Sequence, residues 1–336
     1  SQLIWFDGSI PLEETINIRC EQRSNKIPGM DTLCYKSNIF QALNQMQTLF
    51  PNIYTFYPKT FLLPHQYTDF LKEHIKFQGK FGRENITWIV KPKNGCCGAG
   101  IKSIQNPYDL SNDSTASVVQ SYIHPFLIEN HKFDFRLYLL ISDLDPLHVY
   151  IYHEGIARFC SDEYHAPTKS NLNDKFMHLT NTAINVGNHS KNDFEITRTA
   201  SSILNQIADM DKDGALLWDK IKSLSMLTVL ALYPQIISSV MNAYSNKNKN
   251  TMSSSSSPNL SASLKHSQLI IKRRQSSYSI TQKPYFDPSS DPLHRSFHIL
   301  GIDIMVDDKC DPVFLELNDN PSMKVGVPFE NLLKKN

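Results

Sequence analysis

Val313-Phe314-Leu315-Glu316-Leu317-Asn318-Asp319-Asn320-Pro321-Ser322 decides how this chain is read. Val313 to Leu317 alternate as a strand with one carboxylate among apolar neighbours, and Asn-Asp-Asn-Pro-Ser then breaks the strand into a turn. Upstream, Leu300-Gly301-Ile302-Asp303-Ile304-Met305-Val306 repeats the design and ends in the turn-like Asp307-Asp308-Lys309. Paired as a hairpin, the two strands set Asp303 beside Glu316 on one face, with Asn318 two residues on and facing the same way. Two carboxylates and an amide oxygen suit a hard cation, and Mg²⁺ carrying nucleotide phosphates is the expected occupant. A pair of hydrogen-bonded core acids is the alternative these residues leave open.

The 336 residues exceed one ordinary domain, so two or three lobes sharing a cleft are expected. Apolar residues at 40% and charged residues at 20% describe a soluble globular protein. A formal net charge of +1 gives no global attraction for nucleic acid or membrane, so any anionic partner must meet a local patch. The cysteines Cys20, Cys34, Cys96, Cys97, Cys160 and Cys310 form no CxxC pair, which argues against a zinc site or disulfide framework and favours the reducing cytosol. No N-terminal signal sequence is visible. The apolar run Leu227 to Tyr233 is short and stopped by Pro234, so it reads as a buried helix.

Residues 1–34 read as a small N-terminal lobe, with a strand-like Leu3-Ile4-Trp5-Phe6 and a turn at Pro28-Gly29-Met30. Residues 35–123 form a central lobe. There Lys36 precedes an amphipathic helix through Phe50, and a second helix is expected over Tyr67 to Phe77. Trp88-Ile89-Val90-Lys91-Pro92 is a buried strand ending in a lysine, followed by Lys93-Asn94-Gly95-Cys96-Cys97-Gly98-Ala99-Gly100 and the strand Ile101 to Ile104. Backbone N–H groups of such a loop cover phosphates while Lys91 supplies the point charge; a plain hairpin turn uses glycine equally well. Val118-Val119-Gln120-Ser121-Tyr122-Ile123, closed by Pro125, reads as a hinge strand.

Residues 124–336 form the third lobe. Lys132, Asp134 and Arg136 share one strand face and Phe133, Phe135 and Leu137 the other; a solvated outer face would explain the charges as well as a site does. His148 to Tyr152 is expected to pair with Ile156 to Phe159 across a turn at Glu154-Gly155. Met177-His178-Leu179-Thr180-Asn181 is an isolated polar motif of the kind that caps helices or makes turns. Glu195 to Tyr244 reads as helical, broken by a polar loop over Asp209 to Gly214. Residues 246–266, lysine and asparagine alternation and then a serine run, are expected to be a disordered insertion.

In this order the motifs Trp88-Ile89-Val90-Lys91-Pro92, Lys132-Phe133-Asp134-Phe135-Arg136, His178-Leu179-Thr180-Asn181, Leu315-Glu316-Leu317-Asn318 and Asn320-Pro321-Ser322 resemble the tubulin tyrosine ligase-like family, amino-acid ligases of the ATP-grasp type. Gly95 to Ile101, Asp145-Pro146-Leu147 and Glu154 to Phe159 look most like its glutamylase branch, which adds glutamate to side-chain carboxylates in tubulin tails. The resemblance implies an α+β ATP-grasp fold holding the nucleotide between two α+β lobes, with ATP and Mg²⁺ as cofactors. Lys36 and Lys91 would hold phosphates, Gln120 and Tyr122 with the backbone to Ile123 would form the adenine hinge, and Lys132 and Asp134 would hold ribose or phosphate. Asp303, Glu316 and Asn318 would carry the metal, while Arg136, Arg158, Thr180 and Asn181 would line the side where γ-phosphate and substrate carboxylates meet.

The implied partners are the acidic C-terminal tails of tubulin or microtubules and free L-glutamate, with no nucleic acid and no membrane. The implied location is the cytoplasm and cytoskeleton, extending to cilium or flagellum axoneme and basal body. Ala99 stands where many glutamylases have a basic residue, and Asn336 precedes the position of the basic microtubule-binding extension that several of them carry. Three other readings stay open here: a tubulin glycine ligase with the same ATP machinery, a non-catalytic microtubule-binding module, and an ATP-grasp ligase acting on a small metabolite.

Overall fold

The computed structural model describes residues 2–8, 10–19, 21–81, 86–93, 98–189, 195–251 and 291–322. It is a mixed α+β structure with two antiparallel sheets of unequal size. The N-terminal segment carries β1 (Leu3–Ile4), α1 (Leu12–Ile16), β2 (Arg23–Ser24), α2 (Met30–Leu33) and α3 (Lys36–Leu49). The smaller sheet, in order β3-β6-β4-β5, is built from β3 (Thr60–Leu63), β4 (Trp88–Pro92), β5 (Lys102–Ile104) and β6 (Ser117–Ser121), with α4 (Tyr67–Phe81) packed on it. Its core centres on Trp88, which is fully buried, stacks on Phe77 at 5.6 Å and meets the edge of Phe70 at 5.0 Å. Phe70, His74 and Phe77 recur at helical spacing along α4, so one face supplies both the rings and a polar partner: the Trp88 indole N–H donates to His74 Nδ1 at 3.0 Å.

The larger sheet follows, with β7 (Leu127–Ile128), β8 (His131–Leu144), β9 (Leu147–Phe159), β10 (Thr197–Thr199), β11 (His298–Val306) and β12 (Pro312–Asn318). Its order is β10-β9-β8-β11-β12, with β7 paired on β8. Phe133, Phe135 and Leu137 turn into a core shared with α7 (Ala200–Asp209) and α8 (Gly214–Thr251); α5 (Lys175–His178) and α6 (Thr182–His189) lie between β9 and β10 in the chain. On β6 the strand alternation divides the two cores, since Val118 belongs to the larger and Val119 to the smaller.

Several local expectations are corrected. Glu154-Gly155 is not a turn: β9 runs unbroken from Leu147 to Phe159, and the chain reverses instead at Asp145-Pro146, where Leu144 pairs with Leu147. Gly155 serves close approach, because a Cβ there would lie 2.4 Å from Leu137 Cδ2 and 2.7 Å from the Arg136 carbonyl. Pairing shifts from Leu137↔Gly155 to Leu139↔Ile151, so β9 bulges over residues 152–154, and Glu154 Oε1 accepts from the Ser201 N–H at the start of α7. Nor does Pro234 stop its helix. Proline removes one intrahelical bond, but Leu232 and Ile236 are buried on either side and Tyr233 Oη donates to the Leu144 carbonyl at 2.7 Å, so tertiary packing carries α8 through. Gly214–Ser245 is long and apolar enough to cross a membrane by length and composition; in this fold its stripe Leu217, Ile221, Leu224, Leu232 and Ile236 packs into the core. The first expected strand is confined to Leu3–Ile4, the helical stretch from Glu195 begins with β10, and α8 continues to Thr251, into the start of the proposed insertion. The remainder of that insertion lies outside the described residues, as do Gly95, Cys96 and Cys97.

His298 fastens the N-terminal segment to the larger sheet. Its Nδ1 accepts from the Ile27 N–H at 3.1 Å, and its Nε2 faces the Asp319 carbonyl at 2.7 Å, which fixes a neutral tautomer with the proton on Nε2. Burial pushes the imidazole down to about 4. The unfolded chain therefore binds a proton between roughly pH 6.5 and 4 that the native state refuses, so stability present above the unfolded value is lost as pH falls through this window. Equilibrium unfolding should lose on the order of 3 kcal/mol from this residue across the window. His298→Asn, although less stable at neutral pH, should take up one proton fewer on acid unfolding; an unchanged proton count would exclude this origin.

Candidate active site

The charged residues of the larger sheet form a row across its strands. Asp303 on β11 pairs with Glu316 on β12, as the hairpin reading requires, and on its other side with Arg136 on β8; Asp134 pairs with Arg158 on β9. Lys132, Asp134 and Arg136 do share a face, but it is turned inward, with Lys132 and Asp134 buried. Arg158 forks onto Asp134, Nε to Oδ1 at 2.8 Å and Nη2 to Oδ2 at 2.6 Å, and its Nη2 also donates to Asp303 Oδ2 at 2.8 Å. Arg136 forks onto Asp303 through Nε and through Nη2, the latter at 2.8 Å. Thr180 Oγ1 donates to Asp134 Oδ2 at 2.8 Å. Burial alone would raise the Asp303 carboxyl; the Arg136 and Arg158 guanidiniums outweigh it and hold the group well below the usual carboxylate range.

Opposite this row stands the smaller sheet, and the cleft between them is lined by Lys36, Lys91, Gln120, Ile123, Lys132, Asp134, Arg158, Thr180, Asn181, Asp303 and Glu316 among the expected site residues. Tyr122, Arg136 and Asn318 do not reach its wall. Tyr122 lies past the end of β6, where alternation with Gln120 lapses, and its Oη meets His178 Nδ1 at 2.9 Å. Arg136 lies under Asp303, its Cδ 3.3 Å from where a Gly301 Cβ would stand. Asn318 keeps a buried Nδ2 that has no hydrogen-bond partner among the described residues.

The cations are unevenly matched. Lys36 Nζ pairs with Glu316 Oε2 at 2.9 Å. Lys91 is 8% exposed and has no carboxylate within ion-pair distance among the described residues. Burial, opposed by Glu316 and reinforced by Lys36 and Lys132, pulls its ammonium down to about 8. Lys132, also lowered by burial, donates to the His178 carbonyl at 2.9 Å and lies 5.0 Å over the Tyr122 ring. Among the described residues no group of three or more His, Cys, Asp and Glu side chains is set to hold a metal; the oxygen donors nearest that role are Asp303, Glu316 and the Asn318 amide.

Sequence reasoning gave no site role to His178, Met305 or Leu315, although His178 and Leu315 stand in motifs it singled out, and all three line the cleft. His178 joins Tyr122 through Nδ1 and the Asn171 carbonyl through Nε2, a pairing of distant segments with no local signal. Met305 was legible, since it lies two residues beyond Asp303 on the same strand face. Leu315 was not, because it lines the cleft beside Glu316 only through a bulge between the pairs Asp303↔Glu316 and Ile304↔Phe314. Gly98, at φ +80°, allows its loop to lie against α6: a Cβ would stand 2.7 Å from Ile184 Cδ1 and 2.9 Å from Asn181 Oδ1.

With this fold and charge arrangement, the chain belongs to the tubulin-tyrosine ligase family, whose model matches residues 14–254 and 240–336. It is 34% identical, over 91% of its length and 38% of the relative's, to tubulin polyglutamylase TTLL11 of Homo sapiens. It is 32% identical, over 99% of its length and 25% of the relative's, to a probable beta-tubulin polyglutamylase of Tetrahymena thermophila. Against tubulin polyglutamylase TTLL7 of Homo sapiens the identity is 31%, over the whole chain and 34% of the relative. The chain thus spans between a quarter and two-fifths of the length of these relatives.

An uncompensated buried lysine weakens the fold that contains it. At pH 7, Lys91→Met should stabilise the unliganded protein by about 1–3 kcal/mol in urea unfolding, because Lys91 gives up a proton at lower pH when folded than when unfolded. Wild-type stability then rises between about pH 8 and 10.5, and the gap to the variant closes there. A destabilised variant at pH 7 would mean that Lys91 has a compensating partner.

Proposed function

We propose that this chain is the ligase core of a tubulin polyglutamylase, which joins the α-amine of free L-glutamate to side-chain carboxylates in the acidic C-terminal tails of tubulin at the expense of ATP. The observation that carries this reading is the buried cation Lys91, without a carboxylate at ion-pair distance among the described residues, facing a fixed row of carboxylates and guanidiniums across a cleft between the two sheets. The names of the relatives, tubulin polyglutamylase for two and probable beta-tubulin polyglutamylase for the third, support glutamate over glycine. The two-sheet cleft supports the ATP-grasp arrangement, in which the nucleotide lies between the lobes.

The residues fit such a nucleotide. Gln120 Oε1, on a side chain that lines the cleft, is buried without a partner among the described residues, as a group awaiting a ligand would be, and Asp303, Glu316 and the Asn318 amide would offer the oxygens that Mg²⁺ prefers. Lys36, Lys91 and Lys132 would hold phosphates, while Ile89 and Met305 supply apolar wall. When bound, Mg-ATP supplies the phosphoryl group that turns the acceptor carboxylate into an acylphosphate open to attack by the amine. The protein's part is positional and electrostatic. Arg158, which lines the cleft, is held by Asp134 and Asp303, so its guanidinium is oriented before a carboxylate arrives and loses little freedom on binding it, while Arg136 stays behind the wall and holds Asp303. Thr180 and Asn181 lie on the same side, and no side-chain nucleophile is required. Action on tubulin tails places the protein in the cytoplasm and at the cytoskeleton, including ciliary axonemes and basal bodies.

Purified protein incubated with ATP, tubulin and labelled glutamate, glycine or tyrosine should incorporate glutamate. Incorporation of glycine alone would overturn the proposed donor. Glu316→Gln should fold as wild type and lose at least about a hundredfold in rate; wild-type turnover in that variant would remove Glu316 from the metal site.

A further inference from the structure

Thr60 on β3 and Gln120 on β6 are direct cross-strand partners, both buried, at 4% and 1% exposure. The Thr60 hydroxyl has a single proton and gives it to the Pro58 carbonyl at 2.6 Å. Toward Gln120 that oxygen can therefore only accept, and the amide atom 3.0 Å away must be the donor Nε2. This settles which way the amide faces. Its other end, Oε1, is a buried acceptor without a protein donor among the described residues, on a side chain that lines the cleft. An acceptor held in that state favours a ligand that brings a donor and disfavours one that brings a second acceptor.

We propose that Thr60 is a specificity-determining positioning residue: by fixing the Gln120 amide with Oε1 free, it selects purine nucleotides carrying a 6-amino group, as in adenine, over those carrying a 6-oxo group, as in guanine and hypoxanthine. The inference rests on the nucleotide reading of the cleft and adds to it a residue that touches no ligand. Thr60→Val removes the hydroxyl while keeping the branched shape. The amide is then free to turn and offer Nε2 instead, so a 6-oxo purine gains a donor. Loss of discrimination should thus come mainly from tighter binding of the 6-oxo nucleotide, which a merely weakened site would not produce.

The test is calorimetric titration of the full chain with Mg-ATP and with Mg-ITP, whose bases differ at position 6, amino against oxo, and in the proton that hypoxanthine alone carries on the adjacent N1. Wild type should prefer ATP by about tenfold or more, the effect of leaving a buried acceptor unmatched. Thr60→Val should bring the two within about threefold, with ITP affinity rising, and Thr60→Ser, which keeps the hydroxyl, should retain the preference. A wild-type ratio in Thr60→Val, a lost ratio in Thr60→Ser, or equal wild-type affinities would each overturn the relay while leaving the nucleotide reading intact. Wild-type protein that binds neither nucleotide would overturn both. If Thr60→Val does not fold, Thr60→Ala against Thr60→Ser carries the same comparison.

Discussion

One carboxylate, Asp303, sits between two guanidiniums in the interior of a five-strand path, and the larger sheet is arranged so that this is tolerable. A buried charge lacking its partner is among the costliest features a fold can contain. Asp303 meets Arg136 and Arg158, Arg158 also meets Asp134, and Thr180 adds a second donor to Asp134 Oδ2. These contacts exist only in one register of β8, β9 and β11, since sliding any strand by one residue would send its charges into the apolar core behind. The network therefore specifies the sheet at least as much as it stabilises it, and its guanidiniums acquire fixed directions as a by-product.

The opposite wall follows another rule. Lys91 is buried near the end of β4 with no carboxylate at ion-pair distance among the described residues, while Lys132, on β8 of the larger sheet itself, meets the His178 carbonyl and the Tyr122 ring. The carboxylates and guanidiniums of the larger sheet are thus matched within the protein, whereas Lys91, which faces them across the cleft, has no carboxylate partner among the described residues. A polyanion entering between the walls relieves the lysines without disturbing the ion pairs that orient the arginines. Such a division suits chemistry in which charge must be neutralised and reactants held in place, because neither wall has to reorganise as charge shifts.

How much of this could be read from the chain depended on whether the cause was local. The hairpin of Asp303 and Glu316 was legible because strand alternation and the turn Asp307-Asp308-Lys309 are written in consecutive residues. The helix from Lys36 and the strand from Trp88 to Pro92 were legible for the same reason. Glu154-Gly155 misled because glycine marks both turns and close backbone approach, and only the presence of Leu137 and the Arg136 carbonyl opposite Gly155 tells them apart. Pro234 misled because helix propensity was outweighed by the buried flanks Leu232 and Ile236. Within the site, the residue types were readable but their pairings were not. Nothing near Arg158 in sequence says that it answers to Asp134 and Asp303, and nothing near Tyr122 says that its hydroxyl is taken up by His178.

That last contact shows how the two walls are held in relation. Tyr122 follows the end of β6, Lys132 lies on β8 of the larger sheet, and both are tied to His178, one through Nδ1 and the other through the backbone carbonyl. The arrangement requires a neutral imidazole. Nε2 faces the Asn171 carbonyl and so carries the proton, which leaves Nδ1 to accept from the Tyr122 hydroxyl; burial keeps that hydroxyl protonated by raising its pKa far above the ordinary value. Burial, reinforced by the Lys132 ammonium, in turn pulls His178 down to about 4, because a second positive charge beside that lysine would have no compensation. The lysine thus helps to maintain the protonation state of the residue that positions it, and the segment just past β6 is referenced to the same imidazole. Two residues further on, Thr180 reaches Asp134, so a single short segment, His178 to Thr180, connects the end of β6, Lys132 and the row of ion pairs.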